Sequence, residues 1–171
     1  MALGGGSCAI LPRVREIYRS PFFIASVNDE RRILSRARTD RAFETISEAQ
    51  EAYEAMLKVV ELFDRATHAL LVDTRLAPPR NDPAFEQLIH RFYPRLYAGY
   101  PRIAAVVKTQ VGRLQITRIA QAFNYDIRTF MTEGEALAYL ESAGAPDYPS
   151  RATALPESRS ASTRPPSRKG P

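Results

Sequence analysis

The chain has 171 residues, 44% hydrophobic and 25% charged, the mix of a soluble globular domain able to bury a core without staples. One cysteine, Cys8, and two histidines, His68 and His90, exclude an intrachain disulfide framework and leave multi-cysteine or histidine-rich metal sites unsupplied. The net charge is +5, but Arg151, Arg159, Arg164, Arg168 and Lys169 against Asp147 and Glu157 place three of those units in the last 27 residues. The rest of the chain therefore lacks the basic face of a nucleic-acid-binding domain, and no specific nucleic-acid partner is expected. Of the 24 basic residues 21 are arginine, a bias of GC-rich coding that points to a bacterial source.

In chain order, residues 1–17 hold a glycine cluster and no clear period, and read as a loose leader. The leader lacks the basic and apolar regions of an export signal, and no run approaches a membrane span of about 18 apolar residues, so a cytoplasmic location without a transmembrane segment is expected. Phe22–Val27 and Arg32–Thr39 flank a turn at Asn28-Asp29-Glu30 and predict a hairpin. In its second strand Ile33, Ser35 and Ala37 alternate with Leu34, Arg36 and Arg38, so one face is expected to be wet. Ser47 with Gln50 suggests a capping box, and Tyr53, Met56, Leu57, Val60 and Phe63 recur at helical spacing over 47–65. The run HALLVD at 68–73 has no alternation and reads as a strand buried on both faces.

Asp82-Pro83 has the form of an N-cap followed by a proline at the first helical position. Phe85, Leu88, Ile89 and Phe92 supply that helix's apolar stripe, and Pro94 is expected to end or kink it. Within 91–102, four aromatics interleave with three arginines. Core packing by Phe92 and Leu96, with tyrosines over the sheet edge, is preferred to an interface or to base stacking. RIAAVV at 102–107 predicts another buried strand, and Thr109 caps a helix carrying Val111, Leu114, Ile116 and Ile119. YDIRTF predicts a peripheral strand, and Thr132 with Glu135 opens a last helix. The order β-β-α-β-α-β-α-β-α describes one α/β domain over 18–143 with a mixed, mostly parallel sheet. Residues 144–171 are rich in proline, serine and arginine and poor in large apolar residues, so they are expected to be disordered.

This order, and especially RIAAVVKTQVGRLQITRIAQAFNYDIRTFMTEGEALAYLES, resembles the STAS-like domains built on the fold of the sporulation anti-sigma-factor antagonist, in their small stand-alone bacterial branch. The resemblance implies a non-catalytic signalling adaptor that works by protein–protein interaction, with homodimerisation an open alternative and no cofactor or metal. It maps the docking surface onto Arg75, Arg80, Asn81, Asp82 and Glu86. Antagonists of that family carry a phosphorylatable Ser or Thr at the start of the helix after the central strand. Here that stretch is Asn81-Asp82-Pro83-Ala84, without a hydroxyl, so the kinase switch is not expected. A second reading comes from the residues themselves. Asp73, Lys108, Thr109 and Arg113 fall near the carboxyl ends of neighbouring parallel strands, where free helix N–H groups can hold an anion, giving a small anion- or lipid-binding module. The bland alternative is that Asp73 pairs with a nearby arginine.

Overall fold

A computed structural model describes residues 13–80 and 82–142. Six strands form one sheet in sequential order: β1 (Val14–Arg19), β2 (Phe23–Asn28), β3 (Ile33–Arg38), β4 (Ala69–Asp73), β5 (Ile103–Val106) and β6 (Ile127–Phe130). β1, β2 and β3 pair antiparallel as a meander, and β3 to β6 pair parallel. The parallel strands are linked by α1 (Ile46–Val60), α2 (Pro83–Tyr97) and α3 (Gln110–Phe123), and α4 (Glu133–Glu141) follows β6.

The two faces of the sheet have separate cores. Phe23, Leu34, Leu70, Val72, Ile103 and Ala105 point to the face that carries α1, α2 and α3, whose Met56, Leu88, Leu96 and Ile116 close over them. On the other face Ile33, Leu71, Ala104 and Val106 meet Ala136 and Leu140 of α4. Because side chains alternate along a strand, both cores require β4 and β5 to be apolar throughout, and their side chains from Leu70 to Val72 and from Ile103 to Val106 are all buried.

The helix starts follow from side-chain acceptors. Asp82 accepts from the Phe85 N–H at 3.0 Å, and Thr109 from Gly112 at 3.1 Å. Thr132 caps α4, as expected from its spacing to Glu135. α1 begins two residues before the expected Ser47: Thr45 accepts from the Glu48 N–H, whose carboxylate accepts from the Glu44 N–H at 2.7 Å. It also stops at Val60 instead of running to 65, because Asp64 caps a separate 3-10 turn at Arg65–Thr67. Pro94 does not end α2, which continues to Tyr97 with Pro94 in its last turn.

Three further expectations are corrected. Part of the presumed leader is β1, whose period is masked by a bulge between Glu16 and Tyr18 that turns both Ile17 and Tyr18 toward the core. The strand face expected to be wet is instead buried: Leu34 and Arg36 lie beneath the helices, at 0% and 5% exposure. Tyr93, Tyr97 and Tyr100 are likewise core residues, not a cover for the sheet edge. The expected disordered tail, and residues 1–12 of the leader, lie outside the described residues. Among the described residues no helix is long and apolar enough to cross a membrane.

Candidate functional site

The loops 39–45, 74–82 and 107–109 leave the carboxyl ends of β3, β4 and β5 and lead into α1, α2 and α3. The first two exceed the usual two to six residues or so of a βα connection. They hold the N-terminal halves of the helices apart, and a pocket of about 650 Å³ opens between them. This lies within the roughly 300–1,000 Å³ of small-molecule sites. Phe43, Tyr53, Phe85, Ile89 and Tyr93 form one wall, and Val107, Ile116 and Ile119 the other. The rim carries Leu76 to Arg80, Asp40, Lys108 and Val111, while Arg38 enters from the sheet. A second groove of about 430 Å³ between α1 and α2 is bordered mainly by Gln50, Glu54, Lys58, Glu61, Arg91 and Arg95. Its polar lining gives less apolar surface to a ligand.

The cations of the site divide into two sets. At the rim, Arg80 donates to Asp82 and to the Phe43 carbonyl, and stacks 4.9 Å from the Phe85 ring centre. Arg75 is held by Asp73 at 2.6 Å and by Glu133 at 3.0 Å, which raises its pKa. Both are neutralised within the chain. Lys108 is exposed, and the rim also contains Asp40.

Deeper, the charges are not neutralised. Arg38 donates to the carbonyls of Phe22 at 2.7 Å and Arg41 at 3.0 Å and lies 4.2 Å from the Phe43 ring centre. Its pKa is lowered, first by burial. Two residues back on the same face, Arg36 is 5% exposed and donates to the Tyr97 hydroxyl at 2.9 Å, with the Tyr97 ring centre 5.2 Å away. Burial bears first on its charge and opposes it, while Tyr97, Tyr53, Tyr93 and Tyr100 favour it and leave its pKa raised. No carboxylate among the described residues pairs with Arg36 or Arg38. Burial pushes the hydroxyls of Tyr53 and Tyr93 upward, so both remain protonated donors at neutral pH. Among the described residues the buried Tyr100 hydroxyl has no hydrogen-bond partner.

The residues singled out from the sequence are only partly brought together. Lys108, Thr109 and Arg80 line the pocket, but Asp73 does not. In the sheet register Asp73 stands beside Ala37 and Val106, on the α4 face, and is occupied by Arg75. Arg113 is exposed and outside the lining. The Gly112 N–H, expected to be free for an anion, is taken by Thr109. Of the proposed docking residues, Arg75, Arg80, Asp82 and Glu86 are all ion-paired, Glu86 to Arg118 at 2.7 Å. Asn81 lies outside the described residues.

Sequence reasoning missed Arg38, Phe43, Tyr53 and Tyr93 as lining residues of a pocket, and Arg36 as the buried cation behind them. The available signal was Leu34-Arg36-Arg38 on one strand face opposite Val27, Ala25 and Phe23, which puts arginines in line with core residues. Among the described residues no cluster of three or more His, Cys, Asp or Glu can hold a metal. No protein-family model, curated protein or solved structure matches the chain.

Proposed function

We propose that this domain is a non-catalytic module that binds a small, largely apolar ligand between the N-terminal halves of α1, α2 and α3. The observation that carries the reading is the pocket of about 650 Å³, with aromatic and aliphatic walls and a few polar groups at its ends. The walls supply burial, which favours an apolar body by about 25 cal/mol per Å² removed from water. Among the described residues the lining contains no histidine or cysteine, and its Asp40, Thr74, Lys108 and Thr109 form no nucleophile–base pair, which supports binding over turnover.

The STAS-like adaptor reading keeps one observation in its favour: Leu76, in the loop before α2, is 61% exposed and available to a protein partner. Against it, the charged residues assigned to docking are engaged within the chain. Native mass spectrometry of the protein released gently from its producing cells separates the two. A small-molecule mass shift in the native chain, absent from Ile119→Trp, supports the pocket. A bare chain with a stoichiometric protein partner, lost on substitution within 74–86, would instead favour the adaptor.

A further inference from the structure

An ionised side chain taken out of water is expensive unless an opposite charge or a full set of acceptors receives it, and native proteins seldom leave one unmatched. Arginine does not escape by losing its proton. β3 nevertheless places Arg36 and Arg38 on the same inward face, where the charge of Arg36 disfavours that of Arg38, and among the described residues no carboxylate pairs with either. Arg36 uses one hydroxyl acceptor although a guanidinium has five N–H donors. Arg38 lines the pocket beside Tyr53 and Tyr93, and both tyrosines bear on the charge of Arg36 behind it. Arg75 and Arg80, which also line the pocket, are by contrast ion-paired. Arg38 thus brings to the pocket wall a cation that no carboxylate among the described residues pairs with, and Arg36 stands two residues behind it on the same face.

We propose that the pocket takes an amphiphilic organic anion head-first, with its carboxylate or phosphate against Arg38 and the hydroxyls of Tyr53 and Tyr93, and its apolar tail along Phe85, Ile89 and Ile119. The inference rests on the ligand-binding reading above and adds the charge class and the orientation. An entering head supplies the missing counter-ion, and the Arg38 guanidinium and two protonated phenols give it charge-assisted hydrogen bonds.

The test is calorimetric titration of the full chain with laurate, dodecyl phosphate and 1-dodecanol, all below their aggregation concentrations. The expected result is binding of one or both anions roughly ten- to a hundredfold tighter than the alcohol. Arg38→Met should remove most of that preference while leaving alcohol binding in place, and Lys108→Met should keep it. If Arg38→Met does not fold, Tyr53→Phe and Tyr93→Phe, which preserve shape, should each reduce the preference. Equal affinity for the anions and the alcohol overturns the head-first assignment and leaves the pocket reading standing. Loss of the preference only in Lys108→Met overturns it too, by placing the head at the rim. Absence of binding by all three probes refutes the pocket reading itself, and the orientation with it.

Discussion

The buried arginine makes a prediction about the empty protein that needs no ligand. Among the described residues the Tyr97 hydroxyl is the one hydrogen-bond acceptor of Arg36, and Tyr97→Phe deletes it while keeping the ring on which the guanidinium rests, 5.2 Å from its centre. A hydrogen bond to a charged group contributes about 1.5–3 kcal/mol, and its loss here leaves a 5% exposed cation with a weaker match, so Tyr97→Phe should destabilise by about 2–3 kcal/mol. Arg36→Met combined with Tyr97→Phe removes both polar partners and keeps a flexible chain of similar volume in the gap. The residual penalty for a buried ion amounts to several kcal/mol, and replacing buried charges by apolar residues is often neutral or stabilising by about 1–4 kcal/mol. The double variant should therefore regain most of the loss and lie within about 1 kcal/mol of the native chain or above it. Urea unfolding of the native chain, both single variants and the double variant closes a thermodynamic cycle, with unchanged m-values required for the comparison. A double variant as unstable as the two single losses added together would refute the argument. It would mean that the arginine is a net stabilising element of the core and needs no counter-ion from outside.

Other consequences can be read with the same unfolding assay. Leu88→Ala, at a position 1% exposed beneath the three helices, should destabilise by about 2–5 kcal/mol. Val111→Ser and Leu114→Ser, at 75% and 70% exposure, should each stay within about 0.5 kcal/mol of the native chain, although both belong to the helix's apolar-looking pattern. The Arg80 guanidinium, and after it the Phe85 N–H, hold the Asp82 carboxyl below its ordinary value. Its contribution is thus present above an unfolded pKa of about 3.9 and is lost as pH falls through the lower folded value. The acid side of the stability–pH curve should be flatter in Asp82→Asn than in the native chain, and an unchanged slope would remove Asp82 from the acid transition.

How much of this was visible beforehand depended on whether a local signal agreed with its tertiary setting. Asp82-Pro83, Thr109 and the Thr132–Glu135 pair carry their own acceptors for the first helical N–H groups, so these helix starts could be read directly. The buried runs at 70–72 and 103–106 were legible because both sheet faces are covered, leaving no position for a polar residue. β1 was hidden by its bulge, which destroys the two-residue period on which a strand is recognised. The site was hidden for a different reason. Arg36 and Arg38 obey the alternation rule, but the rule assigns arginine to water, and only the pairing of β3 with Ala25 and Val72 reveals that this face is the inner one. Asp73 failed in the complementary way. It sits at the carboxyl edge as expected, yet one residue of register separates the pocket face from the α4 face, and Asp73 falls on the latter.

The sequential strand order also explains where a pocket can form. In doubly wound sheets, ligands settle where the strand order reverses and neighbouring loops diverge to opposite faces. Here the order β1 to β6 never reverses, and α1, α2 and α3 share one face, so no crevice of that kind exists. Space has to come from the connections instead. The loops 39–45 and 74–82 carry Phe43 and the Leu76–Arg80 segment outward before their helices begin, and the aromatic set Phe43, Tyr53, Phe85 and Tyr93 lines the gap without closing it. A shorter loop at either place would let α1 and α2 pack down to the sheet edge, as they do around Met56 and Leu96, and would seal Arg38 beneath them. Loop length and Arg38 thus belong to one arrangement: the first keeps a route open to the second.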